Sequence, residues 1–82
     1  MKRVTYTVTA ARALRQYANR AKLIRRKIEQ YAAAPASLAN NVTPLRGVEA
    51  KRLRIGDFRV IFRETRTAVE ILDIAPRGSA YE

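Results

Sequence analysis

The stretch KRLRIGDFRVIFRE, at residues 51–64, decides the fold because it predicts a β-hairpin with two unlike faces. Strands over 51–55 and 58–64 flank Gly56-Asp57, and glycine at the first position of a two-residue loop suits a type II′ turn. That turn sets the register, so Arg54 is expected to face Arg59. One face of the hairpin then carries Arg52, Arg54, Arg59 and Arg63 around Ile61, and the other carries Leu53, Ile55, Phe58, Val60 and Phe62.

A strand is predicted at the start of the chain. Val4, Tyr6 and Val8 alternate with polar residues, which predicts a strand over 2–8 with one buried face. Thr9 can then cap the helix that follows.

An apolar stripe with helical spacing comes next. It favours a helical hairpin of about 10–19 and 20–33, with Asn19 as the N-cap of the second helix, over one long helix. The stripe consists of Leu14, Tyr17 or Ala18, Ala21, Ile24, Ile28 and Tyr31.

The remaining segments complete the predicted fold. Residues 35–48 are rich in proline, asparagine and glycine, which predicts a surface connection. Residues 68–75 are apolar on both faces except at Glu70 and Asp73, as in a central strand. The order β-α-α-β-β-β predicts a single α+β domain over 1–82, an antiparallel-rich twisted sheet with an N-terminal helical hairpin on one face. The apolar face of the β-hairpin should meet the helices, which leaves the arginine face outward.

The composition points to a polyanionic or acidic partner, because 82 residues carry 17 Lys and Arg against seven Asp and Glu, a net charge of +10. The chain has no His and no Cys, which excludes imidazole or thiolate metal sites, disulfides, Cys nucleophiles and His general bases. A hydrophobic fraction of 48% is too high for a disordered basic tail. No apolar run approaches the roughly 18–20 residues of a membrane span. We therefore expect a soluble, folded, cytoplasmic domain without a secretion signal.

The basic residues are unevenly distributed. Residues 1–28 hold nine Lys or Arg and no acidic residue. A solvated helix ordinarily mixes charges to gain favourable i,i+4 pairs, so this basic half is expected to bind a polyanion or an acidic protein segment. A simple polar surface is the alternative.

The arginine face of the hairpin has two interpretations. Like charges opposite each other at Arg54 and Arg59 cost up to about 1 kcal/mol of stability. Arg59, at mid-strand, could hold a phosphate through two parallel hydrogen bonds. Alternatively, carboxylates neutralise the arginines and the face is merely solvated. Those carboxylates would be Asp57, Glu64, Glu70 and Asp73.

Three segments carry a family resemblance: PLRG at 44–47, RLRIGDFRVIF at 52–62 and IAPRGSAY at 74–81. They contain a Leu-Arg-Gly turn, a Gly-x-aromatic-Arg-apolar hairpin, and a tail with Arg and Tyr four residues apart. In these motifs, in length and in element order, the chain resembles the RelE/ParE superfamily of bacterial toxin-antitoxin toxins over nearly its whole length.

RelE-like members of that superfamily are ribosome-dependent endoribonucleases that cut mRNA in the ribosomal A site. The nucleophile is the 2′-hydroxyl of the RNA, so the resemblance implies an mRNA interferase that needs no metal and no cofactor. By matching positions it implies that Arg59 binds the scissile phosphate, and that Arg52, Arg77 and Tyr81 complete the catalytic set. The expected RNA-binding residues are Lys22, Arg25, Arg26, Arg54 and Arg63.

One position departs from the family pattern: Pro76 stands where many members have His or Lys. Arginine, with a pKa above about 12, is a poor proton donor or acceptor at neutral pH. Proton transfer would therefore have to come from Tyr81, Glu49, Lys51, or a group of the RNA or the ribosome.

The sequence leaves two other functions open. ParE-like members of the superfamily block DNA gyrase by protein contact and cleave nothing, and a nucleic-acid-binding module without toxicity would explain the charge alone. In either toxin interpretation the resemblance implies a cognate antitoxin, in the cytoplasm of a bacterium or archaeon. An acidic, amphipathic antitoxin segment would complement the basic helices.

Overall fold

The computed structural model describes residues 1–77, and within them the chain folds into one mixed sheet with helices on one face. The strand order is β1-β5-β4-β3-β2, with β1 parallel to β5 and the other neighbours antiparallel. This confirms the predicted α+β class and the antiparallel-rich sheet. In chain order the elements are β1 (Arg3–Tyr6), α1 (Val8–Gln16), α2 (Ala18–Ala33), a 3-10 helix (Pro35–Asn41), β2 (Val42–Pro44), β3 (Lys51–Ile55), β4 (Phe58–Glu64) and β5 (Ala68–Pro76).

The β3–β4 hairpin confirms the predicted register. Arg54 pairs with Arg59, and Ile55 pairs with Phe58 on either side of the two-residue loop. Gly56 has φ of +55°, whereas no non-glycine residue from 1 to 77 has a positive φ. These signs fit a type II′ turn, in which the first central residue alone needs the left-handed region that glycine tolerates.

The first strand is shorter than predicted, and a different threonine caps the helix. β1 ends at Tyr6, and Val8 opens α1 with 73% of its surface exposed rather than lying in a strand. Thr7, not Thr9, is the N-cap, because its hydroxyl accepts a hydrogen bond from the Ala10 N–H at 3.1 Å. The same hydroxyl donates to the Leu72 carbonyl of β5 at 2.9 Å. A hydrogen bond to a strand that is distant in sequence therefore favours Thr7 as the N-cap.

The two predicted helices are present, but the break between them lies at Tyr17 instead of Asn19. Tyr17 has φ −106° and ψ 49°, and its N–H still donates to the Ala13 carbonyl at 2.9 Å. Asn19 lies exposed inside α2, whose first residue follows Tyr17 without a side-chain cap. The Tyr17 ring packs edge-on against Phe58, with 5.1 Å between ring centroids. Tertiary packing, and not capping chemistry, accompanies the break.

The prediction that residues 35–48 form only a surface connection is wrong. The 3-10 helix buries Leu38, and β2 adds a fifth strand at the edge of the sheet beside β3. β2 is three residues long and ends in Pro44, which an edge strand tolerates because one of its sides needs no partner. A strand this short among turn-forming residues leaves too little period-two signal to be predicted.

The core confirms the predicted meeting of the apolar hairpin face with the helical stripe. Ile24, Ile28 and Tyr31 of α2 are buried against the sheet, and the Tyr31 ring contacts the Phe62 ring at 5.0 Å between centroids. β4 is the middle strand of the five. Within residues 1–77, no helix combines the length and the apolar character needed to cross a membrane.

Candidate nucleic-acid interface

A cleft of about 240 Å³ lies on the sheet face opposite the helices. It collects basic residues from three parts of the sheet, with polar residues along one wall, and no carboxylate of residues 1–77 lines it. Four of the lining residues are arginines that are predicted site residues. The lining consists of Asn40, Asn41, Thr43, Arg52, Arg54, Arg59 and Arg77. Every charged residue among these described lining residues is thus an arginine, which suits an anion site.

Strand pairing places three of these arginines side by side. Arg54 and Arg59 form one cross-strand pair, and Arg52 on β3 lies two residues away on the same face. Directly paired side chains have Cβ atoms roughly 5 Å apart, so the guanidinium groups can converge on one ligand. A phosphate between them would replace like-charge repulsion with charge-assisted hydrogen bonds.

Arg59 differs from its neighbours in being buried. Its residue exposure is 4%, although it faces the side of the sheet away from the helices. β4 is the middle strand, so Arg59 has β3 on one side and β5 on the other, where it pairs with Ala75. A buried guanidinium is held in few rotamers, which makes it a well-oriented donor at the floor of the cleft.

Arg77 reaches the cleft because the end of β5 is tied to the hairpin turn. The Arg77 N–H donates to the Asp57 carbonyl at 2.7 Å. Pro76, just before it, is the last residue of β5 and pairs with Phe58. Since proline has no N–H, its position at the end of the strand costs little in the ladder. The turn and the tail arginine are thus one structural unit.

One wall of the cleft is formed by residues that the sequence did not predict as site residues. Asn40 and Asn41 end the 3-10 helix, and Thr43 lies in β2 opposite Arg52. Asparagine and proline dominate that segment, and this composition predicts turns and a surface connection, not a binding site. The signal that could have identified them is Val42, a β-branched residue between polar neighbours that packs against the core.

Several predicted site residues lie elsewhere. Arg63 is on the predicted face but outside the cleft, 3.8 Å from Glu70, so for Arg63 the solvated-face interpretation holds. Tyr81 lies outside the described residues. The three predicted RNA-binding residues of α2 are exposed on the helical side of the sheet, away from the cleft. These three are Lys22, Arg25 and Arg26, of which Arg25 lies 5.7 Å from the centre of the Tyr6 ring.

Glu64 gathers basic partners on the helical side of the sheet. Its carboxylate accepts from Lys2 Nζ at 2.6 Å, from the Tyr31 hydroxyl at 2.6 Å and from Lys51 Nζ at 3.1 Å. Burial would by itself raise the pKa of Glu64, but the hydrogen bonds from Lys2, Tyr31 and Lys51 outweigh burial and lower that pKa to about 2. Burial, and then the bond to Glu64, raise the pKa of Tyr31. Glu64 therefore does not neutralise the arginine face.

Because of this cluster around Glu64, Lys51 is not a proton-transfer group of the cleft. Its ammonium is bound to Glu64 on the other face of the sheet. Glu49 is exposed and lines a separate cavity beside β4. Within residues 1–77, no group of three or more His, Cys, Asp and Glu residues is placed to hold a metal ion. The described cleft residues can therefore bind and polarise an anion, but they include no carboxylate, imidazole or thiol that could serve as an acid or base.

Solved structures of other proteins share this architecture. No protein-family model and no curated protein sequence matches the chain. The archaeal RelE-RelB complex from Pyrococcus horikoshii OT3 contains a similar chain, with a TM-score of 0.75 and 24% identity over 96% of this chain and 98% of that one. The toxin-antitoxin complex RelBE2 from Mycobacterium tuberculosis matches with a TM-score of 0.68 and 26% identity, over 93% and 98%. YafQ from E. coli BL21(DE3) matches over the full length of both chains, with a TM-score of 0.65 and 9% identity.

The chain has the RelE-like toxin fold. The similarity extends over nearly the whole length of both chains in each comparison. The resemblance carried by the hairpin and tail motifs is thereby confirmed. In this RelE-like protein the cleft between β2 and the end of β5 is the candidate site.

Proposed function

We propose that this protein is the toxin of a type II toxin-antitoxin system and that it cleaves mRNA on the ribosome. The observation that carries the proposal is the cleft, in which four arginines from β3, β4 and the end of β5 line one anion-sized space. Its fold is shared with chains from two toxin-antitoxin complexes. An RNA phosphate is an anion that these arginines can bind through charge-assisted hydrogen bonds.

In the proposed reaction the 2′-hydroxyl of the RNA attacks the adjacent phosphorus. A P–O bond forms to the 2′-oxygen, and the bond to the 5′-oxygen of the next nucleotide breaks, which leaves a 2′,3′-cyclic phosphate. The phosphoryl oxygens gain negative charge as the transition state forms. Arg59, buried and oriented, stabilises that charge from the floor, and Arg52 and Arg77 act from the sides.

The proton balance requires a base for the 2′-hydroxyl and an acid for the 5′-oxygen. With Lys51 bound to Glu64, and Glu49 at another cavity, neither is part of the proposed reaction. We assign proton transfer to Tyr81 together with a group of the RNA or the ribosome. The arginines lower the pKa of the attacking hydroxyl through their positive field, so they assist the step without exchanging a proton.

The proposed partners are an antitoxin, mRNA and the ribosome. The exposed basic side chains of α2, on the opposite side of the sheet from the cleft, offer a second cationic surface. An acidic, amphipathic antitoxin segment would neutralise it, and ribosomal RNA would use the same charges. Two cationic surfaces on opposite faces allow docking and cleavage to be separate events.

Gyrase inhibition of the ParE type is the competing outcome. It needs no proton transfer, and Pro76 in place of His or Lys is compatible with it. It does not need four arginines around one anion-sized cleft. The cleft therefore favours the nuclease.

The deciding experiment is induction of the protein in a bacterial host, with 5′ ends of translated mRNA and gyrase-linked DNA breaks mapped in the same cultures. We expect new 5′ ends inside ribosome-bound codons, and no added DNA breaks. Breaks without new RNA ends would overturn the proposal in favour of gyrase inhibition. Arg59→Ala serves as the paired variant, in which the new RNA ends should disappear.

A further inference from the structure

The polar wall of the cleft consists of Asn40, Asn41 and Thr43. Two of these residues extend the rows of cross-strand neighbours that contain the cleft arginines. Val42 pairs with Leu53, and Thr43 pairs with Arg52. Extending this register back by one residue places Asn41 beside Arg54. The row across the sheet is then Asn41, Arg54, Arg59 and Ala75, in which β3 separates the asparagine from the buried arginine.

This spacing suits a nucleotide. Adjacent strands lie about 4.8 Å apart, so Asn41 is roughly 10 Å from Arg59 across the sheet. That span is comparable to the reach from the phosphate of a nucleotide to the outer edge of its base. Arg54 lies between the two and is exposed, so its planar guanidinium can stack on the base.

The chemistry of the wall selects among bases. An asparagine amide presents a donor beside an acceptor, the pattern that pairs with two neighbouring groups on an adenine edge. Recognition of cytosine favours a carboxylate, and none lines the cleft within residues 1–77. Among residues 1–77, the Asn41 amide has no hydrogen-bond partner that would withdraw it from a ligand.

We propose that Asn41 is a specificity-determining residue, which reads the base of the nucleotide whose phosphate Arg59 binds and favours adenine. The inference rests on the proposed function and names the substrate preference of the same cleft. Thr43 and Asn40 flank Asn41 and offer further polar groups to the ribose or base.

The test uses the full chain and four 2′-O-methyl oligonucleotides of six residues, one all-uridine and three with a single central adenine, guanine or cytosine. They lack the attacking hydroxyl, so fluorescence anisotropy reports binding alone. We expect the adenine oligonucleotide to bind at least about fivefold more tightly than the all-uridine one. Asn41→Ala should bring the ratio of the adenine to the all-uridine affinity close to one. Asn19→Ala, an exposed asparagine on α2, should keep the adenine preference.

The outcomes separate the two proposals. Equal affinities for all four oligonucleotides, a preference for guanine, or an adenine preference that survives Asn41→Ala would overturn the assignment of Asn41. In each of those cases the phosphate site stands if Arg59→Ala weakens binding of all four alike. If Arg59→Ala leaves every affinity unchanged, the proposed function itself fails.

Discussion

Arg54 and Arg59 lie directly opposite each other on neighbouring strands, yet Arg54 is exposed and Arg59 is 4% exposed. The difference arises because β4 is the middle strand, whereas β3 has only the three-residue β2 beyond it. The pair thus places one buried cation at the floor of the cleft and one exposed cation at its rim. An anion can be captured by the second and held by the first.

Arg59→Ala should relieve growth arrest on induction while the protein stays folded. The arginine side chain supplies transition-state charge stabilisation, whose loss from an oriented site costs on the order of a hundredfold or more in rate. Growth curves and circular dichroism of the purified variant check both parts. Arg66→Ala, an exposed arginine in the β4–β5 turn, is the matched control and should keep full arrest. Full toxicity of the Arg59 variant would contradict the assignment of Arg59 to the phosphate site.

Pyrophosphate should raise the melting temperature through the cleft. A ligand that binds only the folded state stabilises it by about 1.4 kcal/mol at ten times its Kd. For a domain of this size that corresponds to a rise of roughly 5–10 °C. Differential scanning calorimetry with sodium chloride at equal ionic strength provides the baseline. An equal rise in Arg59→Ala would show that pyrophosphate acts elsewhere, for example on the basic helices.

RNA affinity should depend steeply on salt. Four phosphate contacts to a single strand predict a slope near −3 in a plot of log affinity against log salt concentration. Removing one contact by Arg52→Ala should reduce the slope by about 0.7. Titrations of a 2′-O-methyl oligonucleotide at several potassium chloride concentrations measure it. A slope near zero would point to a protein target and so to gyrase.

Stability should fall in acid because of Glu64. Its pKa in the folded protein is about 2, below the ordinary value of 4.5, so the folded state favours the ionised carboxylate. The resulting stabilisation is present above pH 5 and is lost as the pH falls from about 5 towards 2. The Lys2 and Lys51 side chains are 27% and 41% exposed, so solvent screens these pairs and we expect a loss on the order of 1–2 kcal/mol. Urea unfolding at a series of pH values measures it. Glu64→Gln should flatten this part of the profile, and Glu49→Gln should not; parallel profiles for all three proteins would contradict the assignment.

Tyr31→Phe isolates one bond of the same cluster. The ring keeps its edge contact with Phe62, and only the hydroxyl that donates to Glu64 is removed. We expect a loss of about 1.5–3 kcal/mol in the free energy of unfolding, the usual range for a hydrogen bond to a charged group. Toxicity should not change, because the cluster lies on the other side of the sheet from the cleft. A loss of toxicity at unchanged stability would instead link the two faces.

Much of the fold was predictable because its signals are local. The period-two pattern of residues 51–64 and one glycine in a two-residue loop determine the hairpin register, and hence which arginines share a face. The helical stripe likewise predicted Ile24 and Ile28 as core residues. The ends of helices and strands were less predictable, because they depend on distant contacts. Thr7 caps α1 in place of Thr9, and its hydroxyl also donates to the Leu72 carbonyl of β5, a strand far away in sequence.

The sequence by itself therefore determined the composition of the site, a set of arginines on one hairpin face with an arginine in the tail. Tertiary structure decided how these residues are used. β5 lies between β1 and β4, and its pairing with β4 shifts register between Ile61 and Phe62. No local sequence pattern predicts this shift. This order makes β4 central and buries Arg59, and the Asp57 carbonyl holds Arg77 at the hairpin turn. Asn41 joins the cleft through a strand only three residues long. Such contacts depend on which strands pair with each other. Strand pairing depends on how the whole apolar surface of the chain is buried, and not on the local sequence of either strand.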